Sequence, residues 1–542
     1  MKKIFILTII SLSILCCNKD YVNKLPTTSN VVENFYKTPS DATEALTATY
    51  NMLTWDDWWG SMIISEIASD DCAGGGGTAD GGGYQMYDRG LQQPGSNVNE
   101  PPWNTYYGGI YRANVYLQNE GKINWKGNES LQLQYQAEAR FLRAYDHFYL
   151  ARLFGEIPFL DHPLAPNEQL PARTPAAQLY GDILADLQFC AKNGLSAPYG
   201  AMNPNNWGRA TKWAAEAMIV RVFLYYTGYY NQTDLQGFTA IDARNMIDDV
   251  ILNSGHQLVP KYASLWRVPC ISELDTIANY AGEMNSEVVW SITAVSNGGN
   301  YGANYMQRMI GPRGTNIDPY GQGWGAMTVL PSLWNLYDST DTRRKATILN
   351  WAAEKLTYKY KAQQQAQYTG YSSKKYELVS IDKLPEDNSA GDWQFNGFED
   401  FIVIRYADVL LMGAELYAIT GGSNATATSY VNQVRERAYG NNLHDYSNVE
   451  ISDIMKERQL ELACEGIRYW DILRSCKGDF SKLVGILTYV DKDGGINANS
   501  TTDVTSLDVD GNNFVAKKGL FQLPQDQLDL MKGVIKQNPG YN

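Results

Sequence analysis

Three groups of residues in this chain have the types and spacing to do chemistry. Glu457, Glu461 and Glu465 stand four apart, which places three carboxylates on one helix face at a spacing compatible with paired-carboxylate catalysis. Arg458, Arg468, Arg435 and Arg437 lie close in sequence or on the preceding helix, so acid–arginine pairing that locks helices together is the better reading. Asp70 and Asp71 form the second group; Cys72, Ala73, Gly74 to Gly77, Gly81 to Gly83 and Tyr84 follow them. These carboxylates can accept paired hydrogen bonds from sugar hydroxyls, or they can close a turn or cap a helix. Glycines here let the backbone turn sharply or approach a ligand, and the absence of a following Gly-Lys-Ser/Thr excludes a phosphate loop. Being adjacent, Asp70 and Asp71 point to opposite faces of an extended segment, which does not suit the two facing carboxylates of a glycoside hydrolase. The third group runs from Tyr301 to Trp324 and contains Arg308, Arg313 and Tyr320, flat rings and cations suited to half-polar ligands.

Other chemistries find little support. Cys72, Cys190, Cys270, Cys464 and Cys476 are widely separated, and His147, His162, His256 and His444 do not pair at ligand spacing, so no metal and no cofactor is implied. The Asp-Gly turns at Asp491 and Asp508 look like calcium loops but lack the acidic residue at the twelfth position. With 45 Lys plus Arg against 59 Asp plus Glu, the formal charge of -14 repels phosphates and argues against nucleic acid as a partner. The 37 Tyr and 14 Trp supply amphipathic rings of the kind that recognise sugars, although a helical protein buries most of them.

The elements that must position these groups are mainly helical. Apolar residues in Leu131–Phe154 fall on one helix face, ended by Gly155 and Pro158. Further helices are expected from Thr174-Pro175 to Cys190, from Gly208 to Tyr226 and over Ala240–Leu252, recurring at the period of paired-helix repeats. Val288–Ile292 reads as a strand, Asn297–Gly325 as a long aromatic loop, and Ile404–Ile419, Ala427–Tyr439 and Ile451–Ser475 as helices. At the start, Lys2 and Lys3 precede the apolar run Ile4–Leu15, which is too short to span a bilayer and reads as a removable signal. Ile14-Leu15-Cys16-Cys17 resembles a bacterial lipobox with Cys17 as the lipidated residue, and Asn18-Lys19-Asp20 looks like a cell-surface export signal.

Five blocks, in order, resemble the SusD/RagB family of surface lipoproteins. They are Ala137–Tyr145 running on to Leu153-Phe154-Gly155; Gly208–Ala215 with Arg221–Tyr225; Arg405–Leu411 with Ala414-Glu415, Asn432, Val434, Arg435 and Arg437; Glu457–Leu462 with Glu465–Asp471; and Gln537–Tyr541. The resemblance implies a mainly α fold of tetratricopeptide-like helix pairs, with a few short strands and an irregular, loop-rich part that carries the ligand. It divides the chain into a signal peptide (1–16), a lipid-anchored tether (17–40) and one domain (41–542). Within that domain the scaffold is expected mainly over 41–56, 103–256 and 400–476, the binding part over 60–102 and 257–399, and a C-terminal insertion and tail over 477–542.

The implied function is that of an outer-membrane, non-catalytic glycan-binding lipoprotein acting as the lid of a SusC-like TonB-dependent transporter in polysaccharide utilisation. Oligopeptide binding is the alternative within the family, and a surface glycoside hydrolase the alternative outside it. In starch-binding members, aromatics from the two loop segments form an arc against the sugar. Trp324 in its Gln-Gly-Trp context and Tyr301 after two glycines match that pattern, with Asp70, Asp71, Arg313 and Tyr320 beside them. After Cys72 this chain has glycines where those members have tryptophans, which leaves Tyr84 or Trp103 as substitutes. A Cys72–Cys270 disulfide is expected to pin the two segments together.

Overall fold

The computed structural model describes residues 35–55, 61–77, 82–93, 95–295, 304–314, 317–356, 365–380, 397–489 and 508–541. Cys17 and Tyr301 lie outside them.

Helix α1 (Pro39–Tyr50) begins at a reciprocal cap: the Thr38 side chain accepts from the Asp41 N–H, and the Asp41 side chain accepts from the Thr38 N–H. Two otherwise unsatisfied first-turn donors are thereby paired. A short helix α2 (Ser61–Ile67), a three-residue strand β1 (Cys72–Gly74) and helix α3 (Gly82–Asp88) follow. The scaffold then rises through α4 (Glu100–Asn119), α5 (Glu129–Phe154), α6 (Ala176–Asn193), α7 (Lys212–Tyr229) and α8 (Ala240–Asn253), each packed on the next. Helix α7 is buried on every face from Trp213 to Tyr226 and is the central post of the core, which is why its sequence carries no polar stripe.

Strand β2 (Val288–Ile292) pairs antiparallel with a strand far along the chain, Phe401–Arg405, and β1 pairs antiparallel with β3 (Met327–Val329), so the long-range strand becomes β4. Helix α9 (Tyr406–Ile419) starts where β4 stops, two residues later than its periodicity suggests, because Ile404 and Arg405 are held in the sheet. Helices α9 and α10 (Asn424–Tyr439) form a further pair, and α9 also packs on α8.

The expected helix over Ile451–Ser475 is two helices, α11 (Ile451–Leu462) and α12 (Arg468–Ser475). A buried carboxylate from elsewhere causes the break. Glu66 accepts the backbone N–H groups of Cys464 (3.2 Å), Gly466 (2.8 Å) and Ile467 (3.2 Å), drawing them out of helical register. Both Cys464 (φ 62°) and Gly466 (φ 79°) take left-handed backbone angles there. Helix α12 then packs against α7.

The C-terminal segment returns to the first half. The Phe521 N–H donates to the Leu153 carbonyl (2.8 Å), and the Asn538 amide donates to the carbonyls of Phe154 (3.0 Å) and Phe521 (2.7 Å). Arg173 completes the closure, donating to Asn538 Oδ1 (2.7 Å) and to the same Phe154 carbonyl (3.0 Å).

Candidate functional site

The β1–β3 ribbon brings the two loop segments together. Its register, Cys72 opposite Val329 and Gly74 opposite Met327, is extended by Gly75 N–H to the Ala326 carbonyl (2.8 Å) and Gly76 N–H to the Gly325 carbonyl (2.5 Å). Gln365 clamps the far end, its amide donating to the Gly325 carbonyl (2.7 Å). A Cβ on Gly75 would lie 2.1 Å from the Gly325 oxygen, so this glycine is required by backbone-to-backbone approach rather than by a ligand. Gly76 has φ 89°, a left-handed conformation open to glycine.

The second segment is held by its own main chain. The Trp324 N–H donates to the Arg308 carbonyl (2.8 Å), and Arg313 Nη1 donates to the Trp324 carbonyl (3.0 Å). Trp324 is half-buried, with one side packed on the core, and Arg313 is likewise part-exposed. Both side chains sit at the edge of the ribbon and are partly exposed.

The other expected ligand residues are placed differently. Tyr320 is 2% exposed, packs on Leu349, Trp351 and Val379, and donates its hydroxyl to the Glu354 carboxylate. Tyr84 is buried in α3, and Trp103 is buried in α4 against Tyr107 and Phe154, so neither substitutes for a surface tryptophan. Asp71 is fully buried: Gln459 Nε2 donates to it (2.6 Å), and burial, with the neighbouring Asp70 charge, pushes its carboxyl well above the usual range. Asp70 is gripped by both arms of the Arg468 fork (2.6 and 2.7 Å) and keeps about a quarter of its side chain exposed, 27%. Among the described residues, neither carboxylate closes a turn or caps a helix: Asp70 is held by a distant arginine, and Asp71 is sealed from solvent with one oxygen on Gln459. Cys270 donates to the Thr276 carbonyl (3.2 Å), while Cys72 lies beside Cys464, which corrects the expected Cys72–Cys270 pairing.

Behind β1 lies a cavity of about 290 Å³, lined by Asp70, Asp88, Leu333, Gln459, Leu487 and Tyr489 among others. Asp88 accepts the Gly74 N–H (2.8 Å), and burial pushes its carboxyl up to about 7. Its second oxygen is sealed from solvent, so it cannot serve as an acid toward a ligand in this conformation.

Glu457 and Glu461 on α11, and Glu465 in the break that follows it, are structural, as their surroundings suggest. Glu457 pairs with Arg435 (2.7 Å) and Arg343 (2.6 Å); Glu461 meets Arg343, Arg405 and Arg437; Glu465 binds Arg405 (2.7 Å) and Lys375 (2.6 Å). Arg458 turns instead to Asp408 (2.6 Å) and Asp471 (2.8 Å). Burial alone would raise Glu461, yet the three guanidinium groups hold its carboxyl far below the usual range. Arg343 and Lys375 are functional parts of this lattice that sequence reasoning missed; both come from the middle of the chain, and no local spacing connects them to α11.

Comparison with known proteins agrees with this architecture. Residues 286–541 match the family model described as "SusD family", and residues 84–224 match one described as "Starch-binding associating with outer membrane". SusD-like protein P2 of Formosa agariphila is 24% identical over 527 residues, covering 94% of this chain and 94% of that protein. Among solved structures, a laminarin binding SusD-like protein superposes with TM-score 0.72 at 25% identity, over 93% of this chain and 100% of that one. Surface glycan-binding protein A from Bacteroides thetaiotaomicron, in complex with laminarihexaose, gives TM-score 0.73 at 23% identity over the same shares.

Proposed function

Since the chain belongs to the SusD-like proteins, we propose that it is a non-catalytic glycan-binding lipoprotein of the outer membrane surface. The observation that carries this reading is the juxtaposition at the ribbon edge: a half-buried Trp324 and the part-exposed Arg313, joined by the hydrogen bond from Arg313 Nη1 to the Trp324 carbonyl. A partly exposed ring packed on the core offers a stacking surface to a pyranose at little ordering cost, and the adjacent guanidinium donates to hydroxyls. Tyr301, outside the described residues, is the second stacking ring in this proposal. Asp70 contributes through Arg468, whose fork it orients, rather than by direct contact.

Relatives described as binding laminarin and laminarihexaose support a glycan over a peptide as ligand. Export and anchoring rest on the lipobox-like Cys17; no described helix is long and apolar enough to cross a membrane. Anchored by lipid, the protein serves as the lid of a SusC-like TonB-dependent transporter. The decisive experiment is calorimetry of wild type and Trp324→Ala against laminarihexaose, maltohexaose and an oligopeptide panel. The expected result is binding to one glycan class that falls at least about tenfold in the variant. Peptide binding that survives the substitution would move the reading to the oligopeptide alternative.

A further inference from the structure

Cys72 opens β1, and Cys464 sits in the interrupted turn between α11 and α12. Both are buried, and their sulfurs lie within 4.8 Å of one another beside the Glu66 carboxylate. We propose that Cys72 and Cys464 are joined by a disulfide bond in the exported protein, fastening the ribbon of the candidate site to the junction of α11 and α12.

Both partners are held from their backbones. Cys72 is fixed by its register against Val329, and Cys464 by its N–H to Glu66 and by a left-handed backbone (φ 62°) that a non-glycine residue adopts at a cost. Two other buried thiols have different neighbours: Cys190 faces the Thr211 carbonyl (3.9 Å) and Cys270 the Thr276 carbonyl (3.2 Å). A metal fits the cluster less well. Glu66 already accepts three backbone N–H groups, and even with its carboxylate the cluster offers three ligands where a structural thiolate site takes four.

Bond formation removes two protons and two electrons from the thiols as Sγ–Sγ forms. The acceptor is a cell-envelope protein disulfide, reduced to two thiols through a mixed-disulfide intermediate. Burial pushes the Cys72 thiol well above its ordinary value, so exchange by thiolate belongs to folding, before this region closes.

The inference rests on export as proposed above, and the test separates the two. Full-length protein carrying its own leader is produced in a bacterial envelope, quenched in acid, alkylated under denaturing conditions without reductant, and mapped by mass spectrometry; only leader-cleaved chains are scored. A Cys72–Cys464 linked peptide is expected, with Cys190 and Cys270 alkylated. Reductant lowers the thermal midpoint of the wild type by several degrees and leaves a Cys72→Ser/Cys464→Ser variant unmoved. Both cysteines alkylated in the mature chain would overturn the bond while leaving export intact. Stoichiometric zinc in the native protein, measured before the acid quench, would assign the cluster to a metal instead. The peptide map of the wild type decides the matter even where the double variant does not fold.

Discussion

Glu461 shows at a single side chain why the acid–base lattice is a commitment of the fold. Its carboxylate is fully buried among Arg343, Arg405 and Arg437, so its removal takes one counter-charge from each of three cations at once. Glu461→Gln is expected to destabilise the protein by about 3–5 kcal/mol, read from urea melts, with loss of fold as the extreme. The pH dependence has two opposite parts. Glu461 and Asp408 have folded values held below their unfolded ones, so their stabilisation is complete above the ordinary carboxylate range and is lost as the pH falls through it. Asp88 is raised to about 7 by burial, so the folded state holds its proton more tightly, and that contribution is lost as the pH rises from about 4 to 7. Asp88→Asn is therefore expected to flatten the decline of stability between about pH 4 and 7 by roughly 1–3 kcal/mol. Parallel wild-type and variant profiles would show that Asp88 charges at the ordinary value. Little of this was legible locally: the i, i+4 glutamates announced pairing, but Arg343 and Lys375 are far away in the chain, and the burial of Tyr320, Tyr84 and Trp103 depends on neighbours that a ring's identity does not reveal.

Among elements, the β1–β3 ribbon carries the site and the helices carry the ribbon. Three residues a side is too short for alternating polarity to register, and its partners are separated by most of the first half of the chain, so pattern alone gave a glycine loop. Most helices were readable because they bury a stripe repeating every 3.6 residues over three or more turns, and α7 because its apolar run is too long for a strand. The break between α11 and α12 was not, because its cause, Glu66, lies far away in sequence and acts on main-chain groups of ordinary residues. Gly75→Ala tests the ribbon directly. A Cβ set 2.1 Å from the Gly325 oxygen forces the two segments apart, so glycan affinity is expected to fall at least about tenfold while the far-ultraviolet signal of the scaffold persists. Unaltered binding would move the site away from the ribbon.

For the molecule as a whole, the lipid proposed at Cys17 and the ligand surface near Trp324 are separable parts. Cys17→Ala protein, purified from the soluble fraction, is expected to bind glycan with wild-type affinity in calorimetry while failing to fractionate with membranes; weakened binding would break that separation. A further consequence follows from the closure of Asn538, Phe521 and Arg173 over the end of α5. Chains emerge amino end first, and early segments begin to fold while later ones are still being made. Here the first helical hairpins are left with an open carbonyl at Leu153, and one at Phe154 met only by Arg173, until residues from the other end arrive to cover them. The native state thus acts as a check on completeness: a chain interrupted before Phe521 keeps an unfinished seam that proteases can read, and a whole chain erases it.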